Sequence, residues 1–383
     1  ESRPRGTVLV IVMVTLLVAT AALLLFIEKA SNDLLVASRD IQGQRLRREA
    51  YSALETTLAV LEDFRVVGGG LRSPAEGWGD PLGWCGYEPG EGRIVEVAFA
   101  DESGKLSLPR TQFATFVELF KSWNLPQSDA EQLADALLSW MREDYEPTSA
   151  AAPRPEDYER APLPFRPPGR SLRSFSELAA IDLVRERFFD ENGNPNELWT
   201  HFTNAVSLFD FQRPNINAAS PELLNALAGY DDMQQRQLSD YLQGKGAYQQ
   251  KGPGYFRDAG EVATVLGVSG EVGGFGAEIR ALRIMVTVHE GRTSYRLTAI
   301  VAPPGGANAV KPRKTEAETK EDTNATAASP AKVPTAGNAG ATSSSALDGS
   351  EAQAKKLNYP FTLLEIREND AIPTQPVVAV VKP

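Results

Sequence analysis

The chain has 383 residues, room for roughly two or three compact units at the usual domain size. Its formal net charge of −11, with acids and bases interspersed, argues against a nucleic-acid binder that relies on a basic face. A single cysteine, Cys85, excludes an intrachain disulfide and a thiolate metal cluster, and the two histidines, His201 and His289, form no zinc set or Ser-His-Asp constellation. No enzyme is expected, and Cys85 is expected to be a small buried side chain.

From Thr7 to Ile27 no residue carries a charge. About 21 residues at 1.5 Å each span roughly 30 Å, the thickness of a bilayer core. A secretory apolar region is shorter, about 7–15 residues, and ends in a small-residue cleavage site that does not follow here. Arg3 and Arg5 precede the block, which by the positive-inside rule keeps the N-terminal side cytoplasmic and sends the bulk of the chain across. The helix is expected to continue. No proline interrupts from Thr7 to Val67, Gly43 is a tolerable weak point, and Gly68-Gly69-Gly70 ends the run. In its second part Ala50, Leu54, Leu58 and Leu61 recur at spacings of three and four, with Tyr51, Val60 and Phe64 widening the stripe. Such a helix needs lipid first and a protein surface second, the build of a type IV pilin-like spine.

After a connector rich in Gly, Pro and Trp, the run RIVEVAFADESGKLSLPR places Val95, Val97 and Phe99 in alternation. It then turns at Glu102-Ser103-Gly104 and resumes at Leu106 and Leu108, which predicts a hairpin. Between this run and a second hairpin lies a helical region with legible starts. Ser128 with Glu131, Ser174 with Glu177 and Asp258 with Glu261 read as capping boxes, and Ser220-Pro221 opens PELLNALAGY. Phe113, Phe116, Val117, Phe120 and Trp123 sit at helical spacing and read as core. The second hairpin puts Ile284, Val286 and Val288 on one face, turns at Glu290-Gly291, and continues with Tyr295, Leu297, Ala299 and Val301. Residues 303–357 lack large apolar side chains and are expected to be a disordered loop, before a last strand in YPFTLLEI.

The expected fold is α+β: a pilin-like long N-terminal helix on a small antiparallel sheet, with a large inserted all-helical domain. The divisions are 1–6 as leader, 7–27 as the transmembrane half of the helix and 28–67 as its amphipathic half. The connector and first strands take 68–110, the inserted helical domain 111–278, and the returning strands 279–302. The low-complexity loop takes 303–357, and the last strand and tail 358–383.

Several segments in this order carry a family resemblance: RGTVLVIVMVTLL, DESGKLSL, ADALLSW, PEDYERAPLPFRPPGRSLRSFSEL and PNINAASPELLNAL. Together they span about residues 3 to 302, and with them the chain resembles the general secretion pathway K proteins, minor pseudopilins of bacterial type II secretion. The resemblance implies cleavage by a prepilin peptidase between Gly6 and Thr7, with methylation of the new N-terminus. It implies a single-pass protein of the inner membrane with its bulk in the periplasm. Its partners would be I- and J-type minor pseudopilins, the major pseudopilin and the inner-membrane secretion platform. Most pilins carry a glutamate at the fifth mature position, which here is Ile11. K proteins typically lack it and are thought to cap the tip, where no neighbour would pair with a carboxylate in lipid.

The resemblance also raises calcium, reported for some members near an acidic Trp-x-Asp-x-Asp run. This chain reads WMREDYEP, with Arg142 in place of the first acid, leaving Glu143, Asp144 and Glu146 as candidate ligands where calcium wants about six to eight oxygens. Asp190 to Glu197 (DENGNPNE) is a second oxygen-rich stretch. A competing reading takes NINAASPELLNAL as the opening of a helix-hairpin-helix module, making the chain a membrane-anchored DNA-binding protein of competence type. Asp231 and Asp232 in the hairpin would repel phosphate. In the structural reading Asn215 and Asn217 fix the turn into the helix that Ser220 opens.

Overall fold

One helix, α1, runs without interruption from Thr7 to Gly68, roughly 90 Å at 1.5 Å per residue. The computed structural model describes residues 7–160, 164–249, 254–268, 273–310 and 360–369; the expected leader 1–6, including Gly6, lies outside them. Gly43 leaves α1 unbroken. The helix ends where Gly69 and Gly70 take positive φ and the Gly70 N–H returns to the Arg65 carbonyl at 3.0 Å.

A one-turn helix α2 (Pro81–Trp84) packs on α1 and leads to strand β1 (Arg93–Asp101) and a two-residue strand β2 (Leu106–Ser107). A helical unit follows. Its helices are α3 (Phe113–Ser122), α4 (Gln127–Met141), α5 (Pro155–Glu159), α6 (Asp182–Phe188) and α7 (Glu197–Ala205). After strand β3 (Val206–Ser207) come α8 (Pro221–Ala228), α9 (Asp232–Leu242) and α10 (Ala259–Leu266). The chain then returns through β4 (Leu282–Glu290), β5 (Thr293–Ala302) and β6 (Thr362–Glu368).

The main sheet has the order β1-β4-β5-β6 and is antiparallel throughout. Asp101 at the end of β1 faces Leu282 at the start of β4, so the helical unit is inserted between two neighbouring strands. The alternating residues of the second hairpin turn to one face. Ile284, Val286, Val288, Leu297, Ala299 and Val301 meet Ala50, Leu54, Leu58 and Leu61 of α1 in one core. The helical unit has its own core, in which Phe116, Phe120, Phe188 and Phe202 are buried together. A third, small cluster lies behind the sheet, where Ile300 and Ala302 meet Phe209, Phe211 and Ala307.

Several expectations need correction. β2 does not pair with β1; it pairs in parallel with β3. Glu102–Gly104 forms a 3-10 turn that takes the chain out of the sheet, so Leu106 and Leu108 join the core of the helical unit while Val95, Val97 and Phe99 join that of α1. The alternation was real, but two cores impose it. Ser128 does not cap α4, because the Pro126 carbonyl already accepts from the Ala130 N–H at 2.9 Å and the helix starts earlier. The Ser174–Glu177 capping box forms, but it opens a 3-10 helix, Phe175–Ala180. Cys85 is exposed, since a single helical turn offers no second layer to bury it. Residues 303–310 pack on the protein, with Ala307 buried and Asn308 bridging Asp210, while 311–359 lie outside the described residues.

Candidate functional site

From Leu9 to Ile27 the side chains of α1 are exposed on all sides, and the helix is long and apolar enough to cross a membrane. The hydroxyls in this stretch satisfy themselves. Thr15 donates to the carbonyls of Val12 and Ile11 at 2.9 and 3.1 Å, and Thr20 to those of Leu16 and Leu17 at 2.8 and 3.0 Å. That arrangement suits hydrocarbon, where an unpaired polar group costs several kcal/mol. Thr7 is the first described residue of α1, and Ile11 carries an exposed alkyl side chain. Exposure continues past the first charges, through Leu34, Leu35, Val36 and Ile41, so apolar surface remains uncovered beyond the bilayer length.

The packed half of α1 is tied to the sheet by polar contacts as well. Arg47 grips Glu368 of β6 with Nε at 3.0 Å and Nη2 at 2.7 Å, and the Tyr51 hydroxyl donates to the same carboxylate at 2.7 Å. The Arg47 hydrogen bonds, with those of Tyr51, hold Glu368 down at about 2. On the opposite edge strand, Arg93 of β1 pairs with Glu49, which also accepts from the Tyr87 hydroxyl at 2.7 Å.

The residues predicted to shape a local turn, Asn215 and Asn217, do considerably more. The Asn215 side-chain amide is fully buried and donates to the Arg72 carbonyl at 2.8 Å and to Asp101 Oδ2 at 2.7 Å. Its oxygen accepts from the Asn217 backbone N–H at 3.1 Å. Asn217 donates to the carbonyls of Phe256 and Ala277, both at 3.0 Å, and accepts from the Phe256 N–H at 2.7 Å. One turn therefore joins the segment after α1, the end of β1, the approach to α10 and the approach to β4. Its counterpart is Asp101-Glu102-Ser103-Gly104. The Ser103 N–H donates to Ala281, its carbonyl accepts from Asn215, and its hydroxyl accepts from the Arg280 N–H at 2.8 Å. Gly104 is required by proximity: a Cβ there would lie 2.6 Å from the Ala218 Cβ. Burial pushes the Asp101 carboxyl up to about 6, against the hydrogen bonds from Ser103 and Asn215. Burial also acts to raise Glu102, but Lys105 and Arg283 outweigh it and hold it below its usual range.

DESG and NINAA, about a hundred residues apart in the chain, thus form one junction between sheet and helical unit. Sequence reading noted both motifs and missed their pairing; the signal available was that each combines a small residue with side chains that bond backbone. Ser220 caps α8, accepting from the Leu223 N–H at 3.3 Å.

The calcium candidates do not converge. Glu143, Asp144 and Glu146 are exposed, Glu143 pairs with Arg166 at 3.2 Å, and among the described residues no three acidic, His or Cys side chains are placed to hold a metal. They do not fit the ion. In the stretch from Asp190 to Glu197, the Asp190 carboxylate is occupied by the backbone N–H groups of Asn192 and Asn194 and by the Asn194 amide, which lower its pKa. That stretch is a hydrogen-bonded turn. The proposed hairpin does join α8 to α9 through Gly229, with φ of 65°. Asp231 spends its carboxylate capping α9, and its capping-box partner is Gln234.

The comparison with curated proteins returns no match. Among solved structures, a chain in the crystal structure of the GspK-GspI-GspJ complex from the enterotoxigenic Escherichia coli type 2 secretion system is similar at 16% identity. The alignment covers 73% of this chain and 99% of that one with a TM-score of 0.50, which shows the shared fold. The family model for the first domain of type II secretion system protein K matches residues 99–191, from within β1 to just past α6. The end of β1 and the first helices of the inserted unit are thus similar in sequence to protein K of type II secretion, and the surrounding architecture is that of the solved relative.

Proposed function

We propose that this chain is the minor pseudopilin that caps the tip of a type II secretion pseudopilus and supports protein export across the outer membrane. The observation that carries the reading is α1, one continuous helix whose packed half covers the sheet and whose other half is left bare. A bare helix of that composition needs lipid, and beyond the lipid it needs neighbouring helices. The chain would be anchored in the bacterial inner membrane with its bulk in the periplasm, after cleavage and methylation by a prepilin peptidase between Gly6 and Thr7. Its neighbours would be I- and J-type minor pseudopilins, as in the complex that contains its structural relative, with the major pseudopilin and inner-membrane platform below. Ile11 supports the terminal position, because a subunit at the end of the fibre has no neighbour to pair with a carboxylate. The inserted unit and the junction act as structure in this reading, and no chemistry is assigned to them.

The test combines two measurements on protein extracted from membranes of a host with the secretion machinery. Mass spectrometry is expected to find a methylated Thr7 at the N-terminus, and purification is expected to bring down the I- and J-type subunits. An uncut leader together with salt-sensitive DNA retention and no pseudopilin partner would overturn the reading in favour of the DNA-binding alternative.

A further inference from the structure

A cleft of about 550 Å³ opens where the helical unit meets the sheet. Its walls carry four arginines, Arg110, Arg213, Arg257 and Arg280, against three carboxylates. Each carboxylate is committed. Asp210 pairs with Arg110, Glu278 pairs with Arg280 at 3.0 Å, and Asp258 caps α10 by accepting from the Gly260 and Glu261 N–H groups. Arg213 and Arg257 are exposed, and neither guanidinium has an ion pair or hydrogen bond among the described residues.

Their backbones, by contrast, are pinned. Arg213 precedes the buried Pro214, whose carbonyl accepts from the Gly276 N–H at 2.9 Å, and Asn215 of the junction comes next. The Arg257 N–H donates to Glu261 at 2.8 Å, and its carbonyl accepts from Arg72 Nε at 3.1 Å. Asn217 holds the preceding residue, Phe256, through both its N–H and its carbonyl. The asparagine junction therefore fixes the stems of two arginines whose heads are unused. Unpaired surface arginines are common, and among the described residues Arg236 and Arg292, both exposed, are examples. Two that share one cleft on stems held by one buried network are preorganised for a ligand that offers paired anionic groups.

We propose that this cleft docks an acidic peptide segment of a partner protein, with carboxylates received by Arg213 and Arg257. Arginine forks match carboxylates in two-bond geometry. A nucleic acid is disfavoured because two guanidinium groups offset few of its closely spaced phosphates. The proposal stands whether or not the secretion role does.

The test uses the full chain in non-ionic detergent and a fluorescent oligoglutamate peptide, read by polarisation at low ionic strength. Saturable binding is expected, weakened about tenfold in the double variant Arg213→Gln/Arg257→Gln. It should be unchanged in the charge-matched control Arg236→Gln/Arg292→Gln, with all three proteins melting together. Absence of saturable binding, or equal weakening in the control, would overturn the proposal. So would an oligothymidylate strand binding as tightly as the peptide, or displacement of the peptide by an equal charge of inorganic phosphate.

Discussion

From Leu9 to Ile27 α1 presents apolar side chains all round and none is buried, whereas from Leu46 to Leu61 its buried residues lie on the stripe that faces the sheet. The backbone hydrogen bonding is the same along both lengths, so helix formation as such does not distinguish them. What differs is the arrangement of apolar residues around the axis. An all-round apolar surface is stable only in hydrocarbon, while a stripe is stable when a second surface covers it. The comparison shows how one secondary-structure element can serve two solvents, with the changeover written in side-chain pattern alone.

Truncation on the packed stripe is expected to have the largest effect. Leu61 is fully buried, so Leu61→Ala should destabilise the fold by about 2–5 kcal/mol in detergent-solubilised protein, measured by chemical denaturation. A loss near zero would mean that the sheet does not depend on its helical cover. Next comes the anchor at the distal end of α1. Asn215→Ala strips the Arg72 carbonyl and the buried Asp101 carboxylate of their shared donor, and a cost of about 1–3 kcal/mol is expected in the same assay.

A smaller effect, visible through pH, is expected at the Arg47–Glu368 contact. Glu368 is held at about 2 against an ordinary 4.5, so its contribution is present above about 4.5 and is lost as pH falls toward 2. The melting-temperature gap between the protein and Glu368→Gln should therefore be full near neutral pH and shrink progressively below pH 4.5. A constant gap would assign the contact no titrating role. Asp101, raised from 3.8 to about 6, acts in the opposite sense: its contribution is present below 3.8 and lost as pH rises through about 6. Being common to both proteins, it cancels in the difference. The smallest change is expected on the bare half, where Leu17 is 69% exposed. Leu17→Ala should alter folding stability in detergent by less than about 0.5 kcal/mol. A large loss would show that this half packs on the rest of the protein.

Much of the architecture is legible in the sequence. The lack of proline to Val67, the stripe through Leu61 and the glycines that follow describe α1 closely, because a helix of this length depends on near neighbours in sequence. The strands through Val286 and Leu297 were equally clear, with Gly291 supplying the left-handed turn between them. Ser220 was readable as a cap because capping is a contact over three residues. Errors arose where an apolar residue could belong to either of two cores. Leu106 alternated correctly but packs in the helical unit, and that assignment rests on Val206, about a hundred residues away. The acids near Trp140 were plausible ligands by type, and their outward placement was invisible in the sequence.

The sequence by itself determined a membrane-length helix that continues as an amphipathic spine, an antiparallel sheet and an inserted set of helices. All of these follow from periodicity and capping within a few residues. Only the tertiary structure decided that Asp101 and Ser103 meet Asn215, that Arg47 meets Glu368, and that Arg213 and Arg257 share a cleft. Those meetings join segments far apart in the chain, and hydrogen-bond satisfaction in a buried junction depends on where the whole backbone has gone.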